Sequence, residues 1–257
     1  MKLAFRKYGS GQPLIILHGL FGQGDNWTTH AKLFAEQNYE VYAVDVRNHG
    51  LSPHSDEFTY EAMSEDLLEL IEDNNLQNVI LMGHSMGGKV VMEFALHHSE
   101  FPDKLIVVDI APKGYAPHHH HVLEGLNAVD FSIVKTRKEA EAILLKSIDD
   151  MGTRQFLLKN LYWKTDTELA WRFNREAITN HIENVGKEIV SRYNTTTPTL
   201  FIRGENSNYI KDNDITLIDE LFPQSRLETI AGAGHWIHAE KPKEFFDCVM
   251  KFIHPSP

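Results

Sequence analysis

The feature that most constrains this chain is the run Val79-Ile80-Leu81-Met82, followed at once by Gly83-His84-Ser85-Met86-Gly87-Gly88. A short β-type apolar run that ends in Gly-x-Ser-x-Gly, then continues helix-like to about His98, predicts a strand, a sharp turn and a helix in that order. A serine on such a turn is held in strained backbone geometry, which only residues as small as Gly83 and Gly87 on either side permit. The turn lifts the Ser85 hydroxyl clear of the sheet. It also aims the Met86 N–H and the positive end of the helix at the place where an acyl oxyanion would form. An ordinary glycine-rich turn can carry the same five-residue pattern. Here the preceding strand and the apolar composition of residues 89–96 on all sides favour a helix packed under a sheet, and Ser85 as a nucleophile.

The rest of the chain supplies strands and loops that suit this centre. Residues 1–8 alternate as an edge strand does, and Gly9-Ser10-Gly11 turns them into Leu14-Ile15-Ile16-Leu17, apolar on both faces. That run empties into His18-Gly19-Leu20-Phe21-Gly22, where a second backbone N–H can complete an oxyanion hole. Leu20 is the expected donor beside Met86, with Phe21 as the alternative, and His18 is expected to be a hydrogen-bonded structural residue. Residues 27–37 read as an amphipathic helix and Val41 to Val44 as a buried strand; Asp45, Arg47 and His49 in the loop beyond are expected to brace one another and the loops at the strand ends. From Thr59, the positions of Met63, Leu67, Leu70 and Ile71 mark one face of a helix ending near Asn74-Asn75. After the nucleophile helix, Leu105-Ile106-Val107-Val108 is apolar on both faces and stops at Asp109. Strands alternating with helices in this way imply a parallel sheet with helices on both sides, and binding groups gather at the carboxyl ends of its strands.

Between about residues 113 and 190 the strand signal disappears. Residues 123–129, 138–148 and 154–161 read as helices, Thr136 to Glu139 fits a capping box, and Trp163, Trp171 and Phe173 add aromatic bulk. The α/β pattern resumes at Thr199 to Ile202 and at Arg226 to Ile230, and residues 242–253 make a closing amphipathic helix. The expected organisation is a core of residues 1–112 and 191–257 with residues 113–190 inserted as a helical lid. The lid opens on His118-His119-His120-His121; adjacent residues do not converge on one ion and no partner spacing follows, so the expectation is a mobile polar hinge and no metal. Gly234-His235-Trp236-Ile237-His238 follows the last strand, where His235 can reach the nucleophile and His238 is expected to pack against or cap the last helix.

Composition excludes several partners. Lys and Arg number 25 against 36 Asp and Glu, a formal net charge of −11, which disfavours nonspecific binding to nucleic acid or an anionic membrane. The single cysteine, Cys248, allows no internal disulfide and suits a reducing, cytoplasmic setting. The first nine residues lack the apolar core of a signal peptide, and no run is long enough to span a bilayer, so the protein is expected to be soluble.

A serine hydroxyl needs a base, and the base needs a carboxylate to hold its tautomer. The order Ser, acid, His is that of the α/β-hydrolases, and the loop at His18, the Asp45 to Ser52 loop, the Ser85 turn and Gly234-His235 resemble that superfamily's motifs in order across nearly the whole chain. Residues 45–53, Val108-Asp109-Ile110-Ala111-Pro112, Trp171-Arg172-Phe173-Asn174 and Asn206-Ser207-Asn208-Tyr209-Ile210 are more narrowly similar to bacterial YbfF-type esterases and their animal relatives. The resemblance implies the α/β-hydrolase fold with a mostly parallel central sheet, and hydrolysis of carboxylic esters or thioesters, short acyl esters or acyl-CoA among them. It needs no metal or organic cofactor. Phe21, His84 and Trp236 are the candidate substrate contacts. Lys and Arg residues of the lid could meet a CoA phosphate, but a solvated face is their commoner role.

In most of that superfamily the acid stands three residues beyond a glycine after the post-lid strand. Here that position is Ser207, which cannot hold an imidazolium by charge. The resemblance favours Asp109, at an alternative acid position, with Glu205, Asp212 and Asp214 as the remaining candidates. The same framework serves carbon–carbon bond hydrolases, haloperoxidases, amidases and a menaquinone-pathway lyase, and a ligand receptor that has lost catalysis is the reading from another class. Dehalogenases and epoxide hydrolases of this fold carry Asp where Ser85 stands. Oligomeric state is open.

Overall fold

The computed structural model describes residues 1–116 and 119–254. Its strands are β1 (Phe5–Tyr8), β2 (Gln12–Leu17), β3 (Tyr39–Val44), β4 (Val79–His84) and β5 (Pro102–Val108), then β6 (Leu161–Trp163) and β7 (Leu169–Trp171), and finally β8 (Thr199–Gly204) and β9 (Ser225–Ile230). Among the described residues one seven-stranded sheet has the order β1-β3-β2-β4-β5-β8-β9. β1 runs antiparallel to β3 at one edge, with Phe5 opposite Val44, and the remaining pairs are parallel. The chain steps from β2 outward to β3 and then returns to lay β4 on the other side of β2. The strand order therefore reverses between β2 and β4, and the crevice beyond their carboxyl ends is where such sheets bind ligands.

The apolar runs are buried on both faces as their composition requires. Leu14 and Ile16 of β2 join one core with Phe34 of α1 (Thr28–Ala35) and Phe245 and Val249 of α11 (Pro242–Ile253). Ile15 and Leu17 join the other with Leu67 of α2 (Tyr60–Asp73) and Val90 and Phe94 of α3 (Met86–His97). The Thr59 side chain caps α2 by accepting from Ala62 N at 3.2 Å, which sets the start of that helix.

Between β5 and β8 lie α4 (His120–Ala128), α5 (Arg137–Leu144), α6 (Met151–Leu158), α7 (Arg175–Asn180) and α8 (Ile182–Val185). The expected capping box is present: Thr136 Oγ1 accepts from Glu139 N at 3.2 Å and Glu139 Oε2 accepts from Thr136 N at 3.0 Å. One expectation is corrected here. The block is not free of strands, because β6 and β7 pair antiparallel as a small hairpin, Leu161 opposite Trp171. Three-residue strands are too short to show a period of two, so the sequence gives no signal for them. The two short helices α9 (Ile215–Leu221) and α10 (Ile237–Glu240) complete the fold. No helix among the described residues is long and apolar enough to cross a membrane.

Candidate active site

β4 ends at His84 and α3 begins at Met86, so Ser85 alone makes the turn, at φ 53° and ψ −116°. The flanking glycines are sterically required. A Cβ on Gly83 would lie 2.1 Å from the Gly87 carbonyl oxygen, and one on Gly87 would lie 2.6 Å from the carbonyl oxygens of Leu17 and His18. Ser85 N donates to Val108 O at 2.9 Å, tying the turn to the end of β5.

The structure brings three of the expected residues into line. Ser85 Oγ donates to His235 Nε2 at 3.1 Å, and His235 Nδ1 donates to Asp109 Oδ2 at 2.7 Å; these partners fix the imidazole tautomer. Each residue comes from the carboxyl end of a different strand: β4, β5, and the loop after β9. Asp109 is fully buried at φ 53°, and its carboxylate also accepts from Gly204 N at 3.1 Å and from Ser207 Oγ. Ser207 thus occupies the position three beyond Gly204 but acts as a donor to Asp109. The other candidate acids are engaged elsewhere. Glu205 accepts from Gly232 N at 2.8 Å, Asp212 pairs with Arg203 at 2.7 Å, and Asp214 pairs with Lys113 at 2.5 Å.

The loop after β2 is braced so that its two candidate amides can be told apart. Phe21 sits at φ 59°, and its N–H donates to His49 Nε2 at 3.1 Å. That amide is therefore committed; the Leu20 amide is the other candidate, and the Met86 N–H lies in the first turn of α3, where helical amides lack intrahelical acceptors. His18 is structural: Nδ1 donates to Gly19 O at 2.8 Å and Nε2 accepts from Val46 N at 3.1 Å. Asp45, Arg47 and His49 brace neighbouring loops more than one another, a correction in partners. Asp45 accepts from Gly24 N and Leu51 N, at 2.6 and 2.8 Å. Between the three the structure shows one bond, His49 Nδ1 to Arg47 O at 3.0 Å. Arg47 makes a two-pronged pair with buried Asp66, at 2.6 and 2.9 Å, and also donates to Ala62 O at 2.9 Å. The Met1 ammonium also donates to Asp66 Oδ1, at 2.5 Å, so Arg47→Ala leaves that carboxylate with one of its two cations, and a loss of about 1–3 kcal/mol is expected, read as a fall in the chemical-denaturation free energy.

The cleft at Ser85 has a volume of about 190 Å³, and Phe21, His84 and Trp236 line it with His235. His84 Nε2 donates to His235 O at 2.9 Å, so this residue also positions the histidine loop. The ring of Phe156 from α6 packs 4.4 Å from Trp236. Of the histidines expected to form a polar hinge, His119 and His121 line the cleft, whereas His118 lies outside the described residues. No group of three or more His, Cys, Asp or Glu among the described residues is placed to hold a metal ion. His238 packs as expected, stacked on Trp27 at 4.2 Å and 6.3 Å from Phe245 of α11.

Two residues carried no signal of their role in the sequence. Tyr209 stacks on His235 at 3.9 Å and 16°. Lys89, buried on α3, donates to Lys113 O at 2.7 Å and to Lys187 O, fastening both ends of the inserted block to the nucleophile helix; burial lowers its ammonium to about 7.

A mostly parallel sheet, a serine on a strained strand-to-helix turn, and an imidazole and carboxylate in line from later strand ends together define a hydrolase of the α/β class. The chain belongs to the α/β-hydrolase fold family, which it matches over residues 12–138 and 146–242. It is 38% identical over 247 residues to the mouse sn-1-specific diacylglycerol lipase ABHD11, covering 93% of this chain and 80% of that protein. It is 36% identical over 247 residues to the esterase YbfF of Escherichia coli, covering 95% and 94%. A solved structure of a marine microorganism esterase superposes with a TM-score of 0.95 at 46% identity, covering 98% of this chain and 99% of the other. These similarities make it an esterase/lipase-type member of the family.

Proposed function

We propose that the protein hydrolyses small-molecule carboxylic esters, and thioesters such as acyl-CoA, through an acyl-enzyme on Ser85, with residues 113–190 acting as the lid. The observation that carries this is the continuous relay from Ser85 Oγ through His235 to Asp109 at the end of the cleft. As Ser85 Oγ bonds to the acyl carbon, its proton passes to His235 Nε2, and the buried Asp109 carboxylate stabilises the imidazolium. The carbonyl oxygen takes the negative charge between the amides of Leu20 and Met86, each such donor being worth roughly 10²–10³ in rate. Collapse breaks the bond to the alkoxide or thiolate, which takes the proton from His235. Water then repeats the sequence: His235 accepts its proton, hydroxide adds to the acyl carbon, and Ser85 leaves with its proton restored. No metal or organic cofactor enters this scheme. The lid role rests on His119, His121, Val122 and Phe156, which bring the inserted block to the wall of the cleft.

The test is turnover of p-nitrophenyl esters, acetyl-CoA and palmitoyl-CoA, together with labelling by a fluorophosphonate. Wild type is expected to turn over esters and to be labelled once, at Ser85, with Ser85→Ala losing both. Turnover that survives in Ser85→Ala, or a wild type that neither turns over nor labels, overturns the proposal.

A further inference from the structure

Two cavities meet at Ser85. The cleft described above has His235 in its wall, whereas a second, of about 30 Å³, is bounded by Leu20, Met86, Ile110, Val185 and Tyr60 and lacks His235. By the same measure it is about one-sixth the size of the cleft, so of the two spaces it admits the smaller group. If the serine-esterase proposal holds, the two spaces have different occupants. The leaving oxygen must lie within reach of His235 Nε2, which assigns the larger cleft to the alcohol or thiol. The acyl tail extends past the oxyanion amides of Leu20 and Met86, which assigns it to the small cavity.

Behind the small cavity lies a third space. It is an outer cleft of about 580 Å³ between the start of α2, Glu93 of α3 and the returning arm of the inserted block at residues 186–190. Tyr60, Tyr115 and Gly186 wall both spaces and so form the partition between them. The two tyrosines are not equivalent. Tyr115 Oη donates to Tyr209 O at 2.6 Å and accepts from Ala111 N at 2.8 Å, and Tyr209 stacks on His235, so Tyr115 is built into the relay's support. Tyr60 is buried at the first position of α2, and its hydroxyl makes one bond, to Val185 O at 2.7 Å.

We propose that the Tyr60 ring is the determinant of acyl chain length, closing the small cavity against the outer cleft and so restricting the enzyme to short acyl groups. Each methylene that a pocket admits or refuses changes kcat/KM by about 10- to 200-fold, enough for one ring to set the cut-off. A ring that merely fills space in the core would not discriminate between the two arms of the ester.

The experiment compares kcat/KM for p-nitrophenyl acetate through octanoate, and for ethyl through octyl acetate, in wild type, Tyr60→Ala and Tyr60→Phe. Wild type is expected to fall at least tenfold between butyrate and octanoate. Tyr60→Ala is expected to raise the octanoate-to-acetate ratio at least tenfold without changing the order of the alcohol series, and Tyr60→Phe, which keeps the ring, to retain the wild-type acyl order. Should Tyr60→Ala fail to fold, Tyr60→Leu shortens the side chain more gently and makes the same comparison. The proposal is overturned by an unchanged ratio in a folded variant that a fluorophosphonate still labels, by a wild-type optimum at octanoate, or by a shift in the alcohol series instead. A wild type that hydrolyses no ester at all is a different result and removes the esterase proposal itself.

Discussion

Asp109→Asn is expected to lower kcat by roughly 10³ to 10⁴ while leaving the fold in place, as loss of the carboxylate does in other Ser-His-Asp systems. The hydrogen bonds at this residue explain why so small a change matters. Oδ1 accepts from Gly204 N and Oδ2 accepts from His235 Nδ1 and Ser207 Oγ, so the carboxylate is surrounded by donors. In the variant the one remaining oxygen is held by the Gly204 amide, which turns the new NH₂ group toward His235. The NH₂ donates to Nδ1, the imidazole proton moves to Nε2, and the ring can no longer accept the proton of Ser85. Ser207 accommodates the change because a hydroxyl can rotate from donor to acceptor. Glu205→Gln, Asp212→Asn and Asp214→Asn are expected to stay within a few-fold of wild type, since those carboxylates serve other partners. Kinetics on one p-nitrophenyl ester and a thermal melt for each variant decide the matter. A near-normal rate in Asp109→Asn, with collapse in one of the other three, would move the acid role there.

The sequence showed the nucleophile side of this site better than the acid side, for a physical reason. Gly83 and Gly87 are demanded by contacts within a few residues of Ser85 and with the adjoining β2, so the local pattern carries the geometry. Asp109 is selected by contacts with Gly204, Ser207 and His235, some 95 to 126 residues away, which no local pattern encodes. The doubly buried strands β2, β4 and β5 were legible because burial on both faces writes itself as an unbroken apolar run. The β6–β7 hairpin was not, because three residues carry no period. The His49 acceptor that occupies the Phe21 amide arrives from another loop through folding, so no local pattern around Leu20 and Phe21 encodes it. His119 and His121 read as an isolated polar run because the cleft that gives them a role is assembled from α4, α6 and the loop after β9.

Lowering the pH from 6 to 5 is expected to remove several kcal/mol of folding free energy, a large share of the stability of many domains. Burial pushes His18 down to about 4 and His49 and His238 down to about 3, holds His84 well below its ordinary value, and lowers His30. For two of them the neutral form is a structural requirement. His18 Nε2 accepts from Val46 N and His49 Nε2 accepts from Phe21 N, so a proton on either nitrogen would set one donor against another. The unfolded chain binds protons at these side chains near pH 6.5, whereas the folded chain resists until well below. Below pH 6.5 the unfolded state therefore holds more protons, and stability falls as pH falls, by about 1.4 kcal/mol per pH unit for each histidine once the unfolded form is fully protonated. Well above pH 7, where neither state binds these protons, the same groups contribute no slope. Guanidinium unfolding at pH 7, 6 and 5 measures the effect, and a free energy that stays level across that range would mean that these rings are not held neutral. Activity is expected to fail together with the fold, because a proton on His49 Nε2 displaces the Phe21 amide that it holds in the loop after β2.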